Sequence, residues 1–313
     1  MGVLVTPFFL AMKPTERLAL TETAAAISLW ALSFVWIKIA LRDMSPVTLI
    51  VLRYVLGSAI LLMAAFWRGE LRQMQRNDLK AMLLLGLVGI VLQQFLQVSG
   101  QVTADASVAA FLASTAPAFM VILAAGWLRE PVNRWQIFGI FLATLGAGEV
   151  AVGGDWASLA HGQLSNPGNL LVLLSAVVWA VYTILTRMLV IDRPPTLIAG
   201  GMLFFGWLFS LPLWIFRRGW LEIPLIGRDS WIALLCVGVF STAVTYLLYS
   251  HALKIAPASR LSAIQNIEPL VATLAAVWIL DEPVTNSLIL GGMAIFAGVY
   301  LAERRAQTAQ TAT

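Results

Sequence analysis

The sequence predicts an all-α polytopic membrane protein with ten transmembrane helices in two inverted five-helix repeats. Of the 313 residues, 60% are hydrophobic and only 12% are charged, whereas a soluble domain carries about 25% charged residues. The apolar stretches are near-continuous and about 20 residues long, the length that a helix needs to cross a bilayer. The second half of the chain also repeats motifs of the first half. A transmembrane β-barrel is disfavoured, because its strands are about ten residues long and alternate in polarity.

Apolar runs bounded by charged residues, Pro or Gly define the spans in chain order. The predicted spans are 19–40, 46–67, 79–99, 105–127, 134–152, 168–190, 197–215, 230–251, 258–280 and 286–302. We therefore predict five segments, in order a tail 1–18, a first repeat 19–152, a linker 153–167, a second repeat 168–303 and a tail 304–313.

The distribution of positive charge predicts the orientation. Most of the 20 Lys and Arg residues lie at helix ends on the side of the N-terminus, so the positive-inside rule places both termini in the cytoplasm. These residues are scattered and form no dense basic run, so the net charge of +4 does not indicate nucleic-acid binding. The single cysteine, Cys236, rules out an intrachain disulfide and a cysteine-based metal cluster.

The internal repeat is visible at a constant offset of 152 residues. Glu130 and Pro131 align with Glu282 and Pro283. The same offset aligns Pro117 with Pro269, Gly139 with Gly291, and Ala106 and Ser107 with Ala258 and Ser259. An odd number of helices per repeat gives the two halves opposite orientations in the membrane, which is the architecture used for alternating access.

Inverted repeats predict a site near the bilayer midplane, formed by helices that are interrupted at corresponding places. Pro117 and Pro269 are the predicted interruptions, because each lacks a backbone N–H and frees the carbonyl four residues earlier. A simple packing kink is the alternative for either residue alone.

Glu268 is the leading polar candidate in the site. It lies about ten residues into the ninth span, and therefore about 15 Å deep. An intramembrane carboxylate usually faces a bundle interior or a wet cavity, so it is interpreted as a counter-charge for a substrate ammonium or as a protonation site. A structural hydrogen bond to another helix is the alternative. Gln265 and Asn266 lie within one turn of it and are candidates for the same ligand.

Amides on the third span and phenols on the eighth form a second candidate group. Gln93, Gln97 and Gln101 share one helix face, with Gln94 beside them. Gln94 and Gln97 align with Tyr246 and Tyr249 across the repeat. Substrate contact and interhelical hydrogen bonding both remain open for the amides. A cavity with these walls suits a small zwitterion with an apolar or aromatic side chain.

Two tryptophans lie deep in their spans, unlike those near predicted interfaces. Trp30 and Trp179 are related by the repeat and are interpreted as cavity walls or as packing residues. Tyr182 follows Trp179 and is expected to face the same space. Ser114 precedes Pro117, so its hydroxyl is expected to bond either the substrate or a freed carbonyl, and the carbonyl is favoured.

Other polar residues are interpreted as structural. Lys38, Arg53 and Arg187 lie near helix ends, where long side chains extend towards the interface. A membrane-embedded enzyme is the alternative from another functional class. It is disfavoured because the chain contains no G-x-S-x-G, H-E-x-x-H or P-loop motif. The only two histidines, His161 and His251, fall on opposite sides of the predicted membrane. We therefore predict no catalytic residues, no metal and no cofactor.

The chain resembles the EamA group of the drug/metabolite transporter superfamily. The resemblance rests on Asn266, Glu268-Pro269-Leu270, Asp281-Glu282-Pro283, Gly291-Gly292 and Ala297-Gly298-Val299-Tyr300 in the second half. In the first half it rests on Trp30, Phe34, Ile37-Lys38, Ser45-Pro46, Arg53 and Arg129-Glu130-Pro131. It covers roughly residues 20 to 303. Glu149 departs from the apolar residue usual near the end of the fifth helix.

The resemblance implies ten helices in two inverted halves, a central cavity and the export of small metabolites across a bacterial inner membrane. Bacterial aromatic amino-acid exporters are the narrower resemblance. The expected partners are a small-molecule substrate and the lipid bilayer, with coupling to protons as a hypothesis. Drugs or other metabolites are the alternative cargo, and both a monomer and a homodimer remain open.

Overall fold

The computed structural model describes residues 14–127, 129, 131–157, 166–190, 192–255 and 264–303. Over these residues the chain is helical with short connections and contains no strand, which confirms the predicted all-α membrane class. Eight helices are long and apolar enough to cross a membrane, and two shorter apolar helices follow them. The predicted tail 304–313, most of the linker 153–167 and residues 258–263 lie outside the described residues.

The helices are numbered α1 to α10 along the described chain. Seven are continuous: α1 Pro14–Ala40, α2 Pro46–Trp67, α5 Arg134–Val152, α6 Pro167–Val190, α7 Pro195–Phe216, α9 Glu268–Leu280 and α10 Asn286–Glu303. Three are composite: α3 (Arg76–Leu85, Gly86–Leu92, Gln93–Gly100), α4 (Ala106–Ala113, Ala116–Trp127) and α8 (Arg228–Leu235, Cys236–Val244, Thr245–Ile255). Helix α1 begins at Pro14 instead of residue 19, because Pro is favoured in the first turn and Glu16 complements the helix dipole.

Corresponding helices of the two halves carry the same irregularities. Wide π-helical turns occupy Gly86–Leu92 of α3 and Cys236–Val244 of α8. A turn at Ser114 and Thr115 divides α4 two residues before Pro117, and a turn at Asn266 and Ile267 precedes Pro269 at the start of α9. These four interruptions lie inside apolar segments, where a break in the backbone hydrogen bonds is tolerated only away from lipid.

The two halves interlock through reciprocal contacts between α2 and α7. Glu70, which follows α2, accepts a hydrogen bond from the backbone N–H of Leu197 at the start of α7 (3.1 Å). Glu222, which follows α7, accepts one from the backbone N–H of Ser45 at the start of α2 (2.8 Å). Each helix therefore ends beside the beginning of the other, so the two helices pack antiparallel. A carboxylate at a helix N-terminus accepts hydrogen bonds from the free N–H groups there and interacts favourably with the helix dipole.

The core has two parts, and each part takes helices from both halves. One buries Leu61 of α2, Leu85 of α3, Leu203 of α7 and Leu234 of α8. The other joins α4 and α5 to α9 and α10, with Leu112 and Ala276 among its fully buried side chains. Residues of α1 contribute to both parts.

Glycines allow α5 and α10 to approach closely. A Cβ at Gly298 would lie 2.4 Å from the backbone nitrogen of Ala143 and 2.5 Å from the carbonyl oxygen of Gly139. A Cβ at Gly146 would lie 2.5 Å from the carbonyl oxygen of Gly291. Backbone atoms on a packed helix cannot yield as a flexible side chain can, so only glycine fits at these positions.

We expect Gly298→Ala to destabilise the protein by about 1–3 kcal/mol, because the added methyl group overpacks the α5–α10 contact. Gly126→Ala is the matched control, since a Cβ at Gly126 meets no atom within 4 Å. The control is expected to leave stability unchanged or raised by about 0.5–1 kcal/mol, because Ala favours a helix. Thermal unfolding of the purified variants in detergent measures both changes, and equal melting temperatures would contradict the packing argument.

Candidate functional site

A chain of amide hydrogen bonds runs along the buried face of α3. Gln94 Nε2 donates to Gln93 Oε1 (2.7 Å), and Gln93 Nε2 donates to Gln97 Oε1 (2.8 Å). Gln93 and Gln97 are only 3% and 8% exposed. Gln101 continues the same face and is fully buried, and neither of its amide atoms has a hydrogen-bond partner among the described residues. Of the predicted amide face, Gln93, Gln94 and Gln97 therefore form a connected polar stripe within an apolar bundle, and Gln101 does not join it.

Arg53 of α2 is the first donor in this series of hydrogen bonds. Its Nη1 donates to Gln94 Oε1 (3.1 Å), and its Nε donates to Thr242 Oγ1 in the π-helical turn of α8 (2.8 Å). The guanidinium also lies over the ring of Tyr54, 5.0 Å from its centroid. The prediction that Arg53 extends towards the interface is wrong, because the side chain is 6% exposed. Its hydrogen-bond partners lie far away in the sequence and retain it inside the bundle.

Aromatic side chains from α1 and α8 pack together. The ring of Trp30 lies 6.1 Å from that of Tyr246 in an edge-on arrangement and 5.6 Å from that of Tyr249. Such aromatic pairs are favourable beyond their buried area. Tyr246 interacts with Tyr182, and it lies four residues after Thr242 on α8, to which Arg53 of the amide series donates.

The second tryptophan lies on α6 with its neighbour. The rings of Trp179 and Tyr182 are 5.1 Å apart. Tyr182 is buried, and its ring lies against Gly89 in the π-helical turn of α3. A Cβ at this position would collide with the ring, so the glycine leaves room for the phenol. Through Tyr182 and Tyr246, the structure brings both predicted tryptophans to one aromatic cluster.

The interruption before α9 adjoins this cluster. Gln265 Nε2 donates to the hydroxyl of Tyr249 (2.9 Å), and Asn266 lies in the turn that follows. Glu268 is the first residue of α9, where the positive end of the helix dipole favours a carboxylate. Its side chain is half-buried, and no hydrogen bond joins it to another residue of the described chain.

Hydroxyls at the interruption of α4 satisfy backbone carbonyls. Ser114 Oγ donates to the carbonyl oxygen of Phe111 (2.7 Å), and Thr115 Oγ1 donates to that of Leu112 (2.6 Å). In this structure Ser114 is therefore engaged with its own helix. Pro117 follows within the first turn of the second segment of α4.

A buried carboxylate that the repeat motif contains has a structural role. Both oxygens of Glu282 accept hydrogen bonds at the start of α4, from the backbone N–H groups of Ala106 (2.6 Å) and Ser107 (3.0 Å) and from Ser107 Oγ (2.6 Å). The internal repeat already indicated these residues, because Ala106-Ser107 and Glu282 each align with residues of the other half at the offset of 152. Their partners Glu130, Ala258 and Ser259 lie outside the described residues.

Lys38 and Asp105 lie near Glu282 and interact with it electrostatically. Lys38 Nζ donates to the carbonyl oxygens of Gln101 (3.1 Å) and Ala104 (2.6 Å), so it terminates α3 instead of contacting a carboxylate directly. Burial raises the pKa of the nearby Asp105 carboxyl, repulsion from Glu282 raises it further, and the positive charge of Lys38 opposes both effects.

Two further contacts involve residues that the sequence singled out. Glu149 accepts a hydrogen bond from the indole N–H of Trp156 (2.6 Å), which explains a polar residue at the end of α5. His251 at the end of α8 pairs with Glu22 of α1 (2.8 Å). His161 lies outside the described residues.

An apolar cavity of about 470 Å³ lies between α2, α3 and α7. Its walls are hydrophobic except for Ser210, and they include Ile50, Val88 and Phe209. None of the predicted site residues lines it. The polar cluster and this apolar cavity are therefore separate features of the bundle.

Comparison with known proteins identifies the family. The model of the EamA-like transporter family matches twice, at residues 19–150 and 166–303. An uncharacterized transporter of Archaeoglobus fulgidus is 27% identical over 284 residues, which are 90% of this chain and 97% of the relative. A probable terminal-alkyne amino-acid exporter of Streptantibioticus cattleyicolor is 30% identical over 278 residues, covering 88% of this chain and 90% of the relative.

A solved structure has the same fold. A protein crystal structure matches 92% of this chain and 98% of its own, with a TM-score of 0.62 and 18% sequence identity. The protein is thus a multi-pass membrane transporter and not an enzyme, as predicted. Both matched segments and the relatives show that this chain belongs to the EamA-like transporter family within the drug/metabolite transporter superfamily.

Proposed function

We propose that the protein is a secondary transporter or facilitator that exports small metabolites, above all amino acids with aromatic or other apolar side chains, across the bacterial inner membrane. The observation that carries this proposal is the polar and aromatic cluster inside the apolar bundle. Gln93, Gln94 and Gln97 form a hydrogen-bonded series, and Arg53 joins Gln94 of this series to Thr242 on α8, the helix whose Tyr246 packs against Trp30. Pockets that combine apolar walls with a few oriented polar groups are typical of sites for small amphipathic molecules.

The proposed transport cycle is alternating access by two inverted five-helix halves. Ten spans follow if the shorter helices α9 and α10 cross the membrane together with the eight longer ones. The antiparallel contacts between α2 and α7, and the matched interruptions in α3, α8, α4 and α9, support a pseudo-twofold relation between the halves. Movement of one half against the other would expose the cluster to alternate sides.

The proposed orientation has both termini in the cytoplasm, from the excess of Lys and Arg on that side. In this orientation the contact between Glu282 and α4 lies at the outer face, and the contact between Arg193 and Asp78 lies at the inner face. The interactions at both ends are therefore candidates for groups that rearrange during the cycle.

Each proposed site residue has a proposed role in binding or in forming the site. The rings of Trp30, Trp179, Tyr182, Tyr246 and Tyr249 hold the apolar side chain of the substrate. Gln93, Gln94, Gln97, Gln265, Asn266 and Ser114 are the proposed hydrogen-bonding groups, while Pro117 and Pro269 hold the interruptions open. Glu268 is the proposed counter-charge for a substrate ammonium and the proposed site of proton coupling.

The substrate class also draws support from a relative. The protein of Streptantibioticus cattleyicolor, 30% identical over 278 residues, is named a probable terminal-alkyne amino-acid exporter. An amino acid with an apolar side chain fits the same combination of polar and aromatic groups. Other metabolites or drugs are the second candidate cargo, because the family and fold do not themselves select a substrate.

Uptake into liposomes containing the purified protein tests the proposal. We expect saturable uptake of radiolabelled phenylalanine, tryptophan or methionine that unlabelled substrate competes away. Trp30→Ala, Trp179→Ala and Gln97→Ala are each expected to weaken apparent affinity about tenfold, since each removes about 1–2 kcal/mol of contact. Leu225→Ala, at an exposed position away from the cluster, is the control.

The results separate the candidate functions. Unchanged affinity in all three cluster variants would remove the proposed pocket. Transport of drug-like amines, with no uptake of any amino acid, would favour the second candidate cargo and leave the fold unaffected.

A further inference from the structure

Arg53 is a buried cation for which the described chain supplies no counter-ion. Its side chain is 6% exposed, and its contacts are those with Thr242, Gln94 and the ring of Tyr54. The bonds use Nε and Nη1, so the Nη2 edge of the guanidinium has no acceptor among the described residues. Burial of a charge without a counter-ion is costly, so this arrangement indicates a ligand that brings the negative charge.

The amide chain orients this free edge. Each amide oxygen in the series accepts from the preceding member, beginning with Arg53, and the amide nitrogens of Gln94 and Gln93 donate to the next one, so that the series ends at Gln97. Because Gln94 is oriented by Gln93 and Thr242 is held within the π-helical turn of α8, two helices fix the guanidinium. A group held by two partners loses little conformational freedom when it binds a ligand.

The aromatic cluster lies next to the same guanidinium. Arg53 donates to Thr242, which lies four residues before Tyr246 on α8, and Tyr246 packs edge-on against Trp30. A molecule with an oxyanion on Arg53 would therefore place its remaining atoms beside these rings. The planar guanidinium matches a carboxylate through two parallel hydrogen bonds.

We propose that Arg53 binds the carboxylate of the transported molecule, and that Gln94 and Thr242 are positioning residues for it. This inference rests on the proposed function, because it places the cluster on the transport path. It deepens that function by making the acid group the feature that the site requires, with an apolar or aromatic group attached. Decarboxylated amines of the same shape are excluded, because the guanidinium would remain buried and unpaired.

Thermal unfolding of the purified full chain in detergent tests binding with three matched probes. L-Phenylalanine, 3-phenylpropionate and phenethylamine share the phenyl ring and differ in the acid and amino groups. We expect the two acids to raise the melting temperature and phenethylamine to leave it unchanged. In Arg53→Gln the apparent affinity for both acids is expected to fall about 30-fold or more, since truncation of one partner of a buried charge pair has an effect of this size.

Gln94→Glu distinguishes ligand binding from a structural role. The new carboxylate would lie where Gln94 Oε1 now accepts from Arg53. Its negative charge would pair with the guanidinium in place of the charge of a ligand. We expect this variant to be at least as stable as the wild type without a probe, yet to respond to neither acid. Arg228→Gln removes an exposed arginine at the start of α8 and is the control that should retain the full response.

Three outcomes with the phenyl probes would overturn the inference. These are an equal response to the acids in the wild type and Gln94→Glu, a response of the wild type to phenethylamine equal to that to the acids, or no response of the wild type to either acid. Stabilisation by inorganic phosphate alone would also overturn it in favour of a phosphate site. A response to 3-phenylpropionate that is lost in Arg53→Gln, together with no amino-acid uptake in liposomes, would support Arg53 while contradicting the proposed amino-acid export.

Discussion

Replacement of Glu282 by Ala is expected to be the most destabilising single change at the end of the bundle that carries residues 41–45, 101–105 and 281–285. The carboxylate is 8% exposed and accepts three hydrogen bonds at the start of α4, two of them from backbone N–H groups. Without it, the N–H groups of Ala106 and Ser107 are left buried and unpaired. Loss of charge-assisted bonds and of a helix cap predicts a decrease of about 3–5 kcal/mol in stability.

Graded variants make this prediction specific. Glu282→Gln retains an acceptor oxygen without the charge, so we expect a smaller loss. Glu222→Ala removes the carboxylate that accepts from the backbone N–H of Ser45 at the start of α2, and a decrease of about 1–2 kcal/mol in stability is expected. The melting temperature in detergent should therefore be lower for Glu222→Ala than for the wild type, and lower still for Glu282→Ala. A Glu282→Ala protein as stable as Glu222→Ala would contradict the importance of the three-bond cap.

The same change has an electrostatic consequence at Asp105. Burial and repulsion from Glu282 both raise the pKa of the Asp105 carboxyl. Removal of Glu282 eliminates the repulsion, so the pKa of Asp105 is expected to shift down towards its ordinary value. A carboxyl with a raised pKa in the folded protein weakens folding as the pH rises through its titration. The Glu282→Ala variant should therefore lose this part of the pH dependence, whatever its overall stability.

Composition and periodicity predicted the helical membrane fold because they are local properties. A run such as 46–67 is apolar along its length, begins with Ser45-Pro46 and ends before Arg68, and α2 follows these bounds. The π-helical turns in α3 and α8 have no comparable local signal, because they depend on what packs against them. Tyr182 fills the space beside Gly89 in α3, for example, and it comes from α6.

The role of Arg53 could not be predicted for the same reason. Its distance from Pro46 suggested a side chain near the interface, whereas its environment depends on Gln94 and Thr242, which are distant in sequence. The contact of Glu282 with α4 also joins the two halves, although the repeat motif made both partners visible. Site residues whose partners lie on one helix, such as Gln93 and Gln97, were accessible to helical periodicity alone.

Substitution of Glu268 by Gln is expected to remove the dependence of uptake on a pH gradient. Glu268 begins α9 after the turn at Asn266, is half-buried, and has no hydrogen-bond partner in the described chain. A carboxylate in this position can exchange a proton as the site opens to either side, while an amide of the same shape cannot. Uptake by Glu268→Gln liposomes should therefore be the same with and without the gradient.

The same variant separates the two roles proposed for Glu268. If the carboxylate pairs with the substrate ammonium, Glu268→Gln should weaken apparent affinity about tenfold or more, because a charged hydrogen bond contributes about 1.5–3 kcal/mol. If it only carries a proton, affinity should be retained while the gradient dependence is lost. Glu149→Gln, at a carboxylate that bonds Trp156, is the control for a general charge effect. An unchanged rate, affinity and pH dependence would leave Glu268 with a structural role at the start of α9.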